Sequence, residues 1–274
     1  MLKQRILTAA VLVPIVVIAV YFLGMGGFAA FTGMFVCLGA WEWAAMSGYA
    51  GVTARLFYVF LIMFIAGAGL FLADTGLPRW LVAAGVVWWL IPAPLLLFRS
   101  RHGPRERPGR RPWQAALGLL ILIPAWLSLV LLHERGPQGA GLVLFLLVLV
   151  WIADSGAYFC GRRWGRCKLS PGISPGKTVE GLFGALVVTL LFAFGYALLN
   201  KMQGIEILIF LVICLAAVLA SVGGDLMVSL IKRQARVKDS GSLLPGHGGI
   251  MDRIDSLTAA GPVFLAGLWL LRGM

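Results

Sequence analysis

Long apolar runs separated by short polar segments recur along the whole chain. Each run is about 17–25 residues long, which is the length of an α-helix that crosses a hydrocarbon core of about 30 Å. The pattern predicts an all-α fold: a polytopic helical membrane protein with about nine transmembrane helices. The predicted spans are 6–23, 28–46, 56–73, 80–98, 114–132, 140–159, 182–199, 206–230 and 256–271.

The basic residues between the spans indicate how these helices are oriented. With the N-terminus in the cytoplasm, nineteen of the 23 Lys and Arg residues fall in cytoplasmic segments. Such an excess is typical of the cytoplasmic loops of membrane proteins. This orientation places the C-terminus outside and every conspicuous polar loop on the cytoplasmic face. The first run follows Lys3 and Arg5 and has no clear cleavage motif, so we expect a retained helix and not a signal peptide.

Composition supports a membrane protein and argues against two other classes. Hydrophobic residues make up 60% of the chain and charged residues only 12%, about half the charged fraction of a soluble domain. The net charge of +12 would suggest a nucleic-acid partner in a soluble protein, but here the cytoplasmic loops account for it and we expect no nucleic acid. The four cysteines show no CxxC spacing, which argues against a zinc site and against a disulfide framework.

The two halves of the chain differ in character. Residues 1–138 read as helices with short links and one Arg-rich loop, 99–112, whose arginines fit topology determination and contact with anionic headgroups; direct contact with a substrate is the alternative. Glu42, within Trp-Glu-Trp near a helix end, is interpreted as a structural or interfacial residue. Residues 139–274 form a predicted catalytic region with cytoplasmic loops 161–181 and 231–255.

The carboxylates of interest lie in this second half. Asp154 falls inside a predicted span, where a carboxylate is costly unless it is paired or binds a metal, so it is a functional candidate or a packing partner of a base. Asp225 and Ser229 are four residues apart and share one helix face. Asp252 and Asp255 are three apart at the start of the last span, where one of them could serve only as a helix cap.

Two basic loops accompany these carboxylates. The first contains Ser-Pro-Gly-Lys-Thr, in which the hydroxyls of Ser174 and Thr178 and the cation of Lys177 suit a polyphosphate. It is not a P-loop, because Pro171 stands where that motif requires glycine. A basic membrane-surface loop is the alternative. In the second loop, His247 stands between two glycines. Its candidate roles are a base, a phosphate contact and a turn residue.

The segment SLIKRQARVKDSGSLLPGHGGIMDRID, residues 229–255, resembles the signature of the phosphatidate cytidylyltransferase family, also called CDP-diacylglycerol synthases. The upstream SPGKTVEG resembles a second hallmark of that family, with Val179 standing where an aromatic residue is expected. The likeness is good over about residues 150–260. The positions that match the signature are Ser229, Lys232, Arg233, Lys238, Asp239, Gly241, Pro245, His247, Gly248, Gly249, Asp252, Arg253 and Asp255.

The resemblance implies a reaction in which CTP and phosphatidic acid give CDP-diacylglycerol and pyrophosphate. It implies Mg²⁺ as cofactor, leaves open a second cation such as K⁺, and implies a homodimer in the bacterial cytoplasmic (inner) membrane with its active site facing the cytoplasm. The expected catalytic residues are Asp225, Asp252, Lys238 and His247. The expected metal ligands, in or beside the coordination sphere, are Asp225, Asp252, Asp255, Asp154 and Ser229. The expected phosphate-binding residues are Ser174, Lys177, Thr178, Lys232, Arg233 and Arg253.

Three other functions fit the sequence less well than this one. A CDP-alcohol phosphatidyltransferase would need an Asp-rich helical motif that this sequence lacks. A transporter or lipid flippase would use Asp154 as an ion site, but such folds often show inverted repeats, whereas here the polar chemistry lies in one half. A purely structural scaffold has no need for three carboxylate positions facing basic loops. Consumption of CTP distinguishes the cytidylyltransferase from all of these.

Overall fold

The computed structural model describes residues 2–100, 103, 109–243 and 248–272, and the side chains of residues 2–9 and 272 are not among the parts described. Helices dominate this part of the chain. They are α1 (Leu2–Phe22), α2 (Met25–Met46), α3 (Val52–Phe71), α4 (Leu77–Leu90), α5 (Pro92–Ser100), α6 (Pro112–His133), α7 (Gly139–Trp164), α8 (Val179–Leu199), α9 (Ile205–Gln234) and α10 (Met251–Arg272). Short 3₁₀ turns occur at Ala73–Thr75 and Gly136–Gln138.

The described helices confirm a polytopic helical membrane protein. Eight segments are long and apolar enough to cross a membrane, with α4 and α5 counted together as one segment. Helix α1 has the length of a further span. The predicted span 80–98 is divided between α4 and α5 at Ile91 and Pro92. Proline lacks the N–H that would continue the helical hydrogen bonds, so the break follows from Pro92.

Helix α6 lies at the centre of the bundle and α8 at its edge. Of the most apolar window of each helix, 67% is buried in α6 and only 22% in α8. The buried core is continuous between residues of 1–138 and residues of 139–274. The predicted division after residue 138 coincides with the start of α7, and it stays a prediction because both segments contribute to that one core.

Helices α7 and α8 approach each other through glycines. A Cβ built on Gly156 would lie 3.1 Å from the Gly184 carbonyl oxygen, and one on Gly184 would lie 3.0 Å from the Gly156 carbonyl oxygen. Small residues allow backbones to approach this closely in membranes, where packing contributes much of the attraction between helices. The contact fixes Asp154, on α7, relative to the segment that precedes α8.

That preceding segment is a β-hairpin, a feature that the predicted loop 161–181 did not include. Strands β1 (Lys168–Ser170) and β2 (Ser174–Thr178) pair antiparallel, with Lys168 opposite Thr178. The other predicted loop, 231–255, is also shorter than expected, because α9 continues to Gln234 and α10 begins at Met251. Both differences place charged residues of the loops on regular elements that hold them in fixed positions.

Candidate active site

Helix α9 and strand β2 bring the first ion pair together. Lys177 Nζ lies 2.7 Å from Asp225 Oδ2, and both side chains are partly exposed. Ser229, one turn after Asp225, donates a hydrogen bond from its Oγ to Asp225 Oδ1 at 3.3 Å. The predicted pairing of Asp225 and Ser229 on one helix face is thus present, and Lys177 of the hairpin joins them.

The second ion pair lies between the end of α9 and the first turn of α10. Lys232 Nζ lies 2.6 Å from Asp252 Oδ1, and the two side chains are 12% and 8% exposed. The other carboxylate oxygen, Oδ2, accepts hydrogen bonds from the backbone amides of Ser240 at 2.9 Å and Gly249 at 3.1 Å. Asp252 therefore joins α9, the intervening loop and α10.

A close contact between α9 and α10 places a third carboxylate beside the first. A Cβ built on Gly224 would lie 2.5 Å from the Asp255 carbonyl oxygen, so the two backbones touch next to Asp225. The charge of Asp225 acts on both Asp154 and Asp255, and the charge of Lys177 acts on the same two carboxylates in the opposite sense. Three acidic side chains from three helices thus share one electrostatic environment.

Asp154, Asp252 and Asp255 border an apolar cavity of about 480 Å³. Its polar end includes Asp154, Asp252, Arg253 and Asp255. Its apolar walls come from α1, α2, α6, α7 and α10. A cavity with this division suits a molecule that carries a charged group at one end and hydrocarbon at the other.

The β-hairpin is tied to the rest of the site by two further contacts. Arg233 donates from Nε to the carbonyl oxygen of Ile173, in the turn of the hairpin, at 3.3 Å. Ile173 is fully buried. Thr178 caps α8, because its Oγ1 accepts a hydrogen bond from the Gly181 amide at 3.1 Å. Arg233 and Thr178 were both predicted to bind phosphate, and the structure gives each of them a contact within the protein.

The amino-acid sequence that forms this site matches a known protein family. The model of the cytidylyltransferase family matches residues 3–271. The chain belongs to the cytidylyltransferase family. The match includes the first 140 residues, for which the sequence motifs predicted only a helical scaffold.

Three relatives are similar along the whole chain, and each is named a phosphatidate cytidylyltransferase. The protein from Pseudomonas aeruginosa is 43% identical over 98% of this chain and 97% of its own. The protein from Haemophilus influenzae is 38% identical over 96% and 97%. The protein from Thermotoga maritima is 32% identical over 100% and 98%.

The remaining predicted residues of this cytidylyltransferase-family site differ in their placement. Ser174 is half-buried at the start of β2, while Lys238 is exposed in the loop after α9 and Arg253 is exposed on the first turn of α10. His247 lies outside the described residues, as does Pro245. The catalytic, metal and phosphate roles of all these residues stay predictions.

Glu42 makes more contacts with the candidate site than the sequence predicted. This residue is 3% exposed near the end of α2, and its carboxylate accepts hydrogen bonds from Ser240 Oγ and from the amides of Ile250 and Met251. The expected structural role is confirmed, but the contacts are with the signature loop and not with the membrane interface. A signal for this was present, because a carboxylate within an apolar helix needs donors and the start of α10 supplies unpaired amides.

Oxygen donors dominate the site, which fits a hard cation such as Mg²⁺. Among the described side chains, however, no three His, Cys, Asp or Glu residues already meet in a metal-binding cluster. Two of the carboxylates are instead engaged by lysines, Asp225 by Lys177 and Asp252 by Lys232. Metal binding at this site would therefore require the lysines to exchange their carboxylate partners for other anions.

Proposed function

We propose that this protein transfers the cytidylyl group of CTP to phosphatidate by a metal-assisted attack of the lipid phosphate on the α-phosphate of CTP. The reaction itself follows from family membership: the protein is a nucleotidyltransferase of phospholipid synthesis that forms CDP-diacylglycerol. A lipid phosphate oxygen bonds to the α-phosphorus, the bond from that phosphorus to the bridging oxygen breaks, and pyrophosphate leaves. The nucleophile is part of the substrate, so no serine or cysteine nucleophile is needed.

The observation that carries the proposal is the meeting of paired lysines and carboxylates with the polar end of an apolar cavity. Asp154, Asp252 and Asp255 border the cavity, and Asp225 lies close enough to influence two of them. Phosphatidate has the matching shape, a phosphate joined to hydrocarbon chains. We infer that its phosphate lies at the polar end, with acyl carbons along the apolar walls, after lateral entry from the bilayer between helices.

The grouping of carboxyl groups supports one divalent cation at this site. Asp225 and Asp252 are paired with Lys177 and Lys232, and Asp154 and Asp255 lie in the same electrostatic environment. A single Mg²⁺ would offset the mutual repulsion of these carboxylates. We assign it to Asp225 and Asp252, with the three other predicted ligands, Asp255, Asp154 and Ser229, in or beside the coordination sphere. When bound, Mg²⁺ would neutralise the CTP phosphates and polarise the α-phosphorus.

The basic side chains have a complementary role in this proposal. Lys177 and Lys232 already lie within 2.7 Å of carboxylates, so each can move a short distance to a phosphate oxygen of CTP. Lys238, in the loop after α9, and Arg253, next to Asp252 in α10, are exposed and would neutralise the departing pyrophosphate. For Arg233 we propose a mixed role, since its Nε holds the hairpin and the rest of its guanidinium can contact phosphate.

We place the active site on the cytoplasmic side of the bacterial inner membrane. The support is the distribution of Lys and Arg, which predicts that both signature segments face the cytoplasm. CTP is a cytoplasmic nucleotide, which agrees with this orientation. The family resemblance also supports a homodimer, which the mass of the detergent-solubilised protein measured by light scattering would test.

The experiment uses detergent-purified protein with CTP labelled at the α-phosphate, phosphatidate and Mg²⁺, with and without EDTA. We expect lipid-soluble label only when all three components are present. Asp225→Asn and Asp252→Asn should each reduce the rate by a factor of about 10² or more. Asp74→Asn is the matched control, because Asp74 is exposed in a 3₁₀ turn far along the chain from the site.

Each outcome has a defined meaning. No labelled lipid from folded protein supplied with Mg²⁺ and K⁺ would contradict the reaction. Full activity in Asp252→Asn would contradict the metal assignment and leave the reaction intact. Comparison of K⁺ with Na⁺ buffers would show whether a second cation contributes.

A further inference from the structure

Glu42 belongs to the half of the chain that carries none of the signature motifs, yet it makes three hydrogen bonds to the signature loop. Ser240 Oγ donates to Oε2 at 2.7 Å, the Ile250 amide to Oε1 at 3.0 Å and the Met251 amide to Oε2 at 2.9 Å. Ser240 lies within the loop that joins α9 to α10, Ile250 is the last residue of that loop and Met251 begins α10. One buried carboxylate therefore closes that loop.

The backbone of the loop lies directly against the Glu42 carboxylate. A Cβ added to Gly241 would overlap the Glu42 carboxylate, and one added to Gly249 would overlap both that carboxylate and Ser240 Oγ. The two glycines thus let the loop backbone close around Glu42. The carboxylate also lies at the N-terminal end of α10, where unpaired amides and the helix dipole favour a negative charge.

The same loop residues also hold Asp252. Its Oδ2 accepts hydrogen bonds from the amides of Ser240 and Gly249, while Oδ1 contacts Lys232. Ser240 thus joins the two carboxylates, since its hydroxyl bonds to Glu42 and its amide to Asp252. A change in the position of the loop at Glu42 must therefore alter the hydrogen bonds that orient Asp252.

We propose that Glu42 is a positioning residue, whose buried carboxylate closes the loop between α9 and α10 and so orients Asp252 and its partner Lys232 for catalysis. The catalytic part of this inference rests on the proposed function. Glu42 touches neither substrate nor metal in this scheme; it acts through Ser240, Ile250 and Met251.

The decisive variant is Glu42→Gln, which keeps the volume of the side chain. The amides of Ile250 and Met251 donate to different oxygens of Glu42. Glutamine has one acceptor oxygen, so in either orientation its NH₂ group faces one of these two amides. A conservative replacement therefore cannot restore the arrangement.

We expect kcat per folded Glu42→Gln molecule to fall about tenfold or more, since the loss of a hydrogen bond to a charged group is of this size. We expect a smaller rise in KM for CTP than the fall in kcat, because one of the two lysines proposed to bind phosphate, Lys177, lies on the hairpin outside this loop. Hydrogen exchange at the amides of Ile250 and Met251 should become faster by about tenfold or more in the same variant.

Two control variants separate positioning from general stability. Glu206→Gln makes the same chemical change on the exposed first turn of α9, and should leave kcat and exchange in the loop unchanged. Phe210→Leu weakens the buried aromatic cluster of Phe145, Tyr196 and Phe210. It should lower the unfolding temperature and leave kcat per folded molecule and loop exchange near wild type.

The inference is overturned if Glu42→Gln retains wild-type kcat and loop exchange, or if Phe210→Leu at equal loss of stability reproduces both changes. If Glu42→Gln does not fold, Ser240→Ala provides the test, because it removes only the hydroxyl donor. Faster exchange at the Ile250 amide with a lower kcat would support the inference. Wild-type values for both would refute it. If the wild-type protein made no CDP-diacylglycerol, the proposed function would fail. Hydrogen exchange in the loop would still show whether Glu42 stabilises the loop.

Discussion

Gly224 of α9 lies directly against the backbone of Asp255 in α10. A Cβ at this glycine would be 2.5 Å from the Asp255 carbonyl oxygen and 3.2 Å from the Ala259 Cβ. Asp225 is the next residue along α9, so this contact sets the separation of two proposed active-site carboxylates. The distance between α9 and α10 is therefore important for catalysis as well as for packing.

Replacement of Gly224 by alanine should separate the two helices at the active site. We expect Gly224→Ala to reduce the free energy of unfolding by about 1–3 kcal/mol, the usual cost of overpacking. Cytidylyl transfer should fall roughly ten- to a hundredfold, because small displacements of catalytic groups have large effects on rate. Thermal unfolding in detergent and the labelled-CTP assay measure the two effects.

The neighbouring glycine is the control. A Cβ at Gly223 would have nothing within 4 Å, and alanine favours helix more than glycine does. Gly223→Ala should therefore be neutral or slightly stabilising, with wild-type activity. Equal losses in the two variants would show that the close contact with Asp255 is not the cause.

The two lysine–aspartate pairs should differ in their contribution to stability. The Lys232–Asp252 pair is nearly buried, and removal of one partner from a buried pair costs about 3–5 kcal/mol. The side chains of Lys177 and Asp225 are 24% and 32% exposed, so Lys177→Met should cost about 1 kcal/mol or less. We expect Lys232→Met to lower the unfolding temperature far more than Lys177→Met, measured with EDTA present.

Both methionine variants should nevertheless lose most of their activity, since both lysines are proposed to contact phosphate. Similar unfolding temperatures would contradict the difference in burial. Wild-type activity in Lys177→Met would instead contradict the role of the hairpin lysine in binding CTP.

Thr178 offers a test between a capping role and the predicted phosphate contact. Its Oγ1 accepts the Gly181 amide at the start of α8, and the residue is 6% exposed. Thr178→Ser keeps the hydroxyl and should retain stability and activity. Thr178→Val removes the cap and should cost about 1 kcal/mol. If capping is the main role, KM for CTP stays unchanged in folded Thr178→Val; a large rise in KM would favour the phosphate contact.

Arg111 should differ from the other arginines of the 99–112 loop. It is 9% exposed, and its Nη2 donates to the Gln234 carbonyl oxygen, at the end of α9, at 2.6 Å. Arg111→Ala leaves that carbonyl without this donor and should cost about 1–3 kcal/mol. The exposed neighbour Arg110 lies 5.8 Å from the Tyr49 ring centroid, and Arg110→Ala should cost no more than about 1 kcal/mol. Thermal unfolding of both variants checks this order, and a larger cost for Arg110→Ala would contradict it.

Much of the fold could be predicted because membrane spans are local features of a sequence. A helix that crosses the hydrocarbon core needs only a sufficient length of apolar residues, and its hydrogen bonds lie within the segment itself. The expected spans therefore correspond to the helices of the described chain. The signature segments also indicate the family without any tertiary contact, since they consist of residue types in a fixed order and spacing.

The sequence did not predict the hairpin of Lys168–Ser170 and Ser174–Thr178, nor the way in which α9 and α10 extend into the expected loop. Short strands depend on pairing with a partner and on packing of residues such as Ile173, and neither is visible in the apolar periodicity. The helix extensions likewise depend on the partners of the charged residues they carry.

By itself, the sequence determined the class of protein, the approximate spans and the acidic and basic residues of the candidate site. The tertiary structure decided which of these residues meet: Lys177 with Asp225, Lys232 with Asp252, and Glu42 with the amides of a loop about two hundred residues away in the chain. The physical reason is that apolar length and helix periodicity act within a segment. Hydrogen bonds and ion pairs between segments depend instead on how closely the helices pack, and here that closeness depends on glycines such as Gly224 and Gly249.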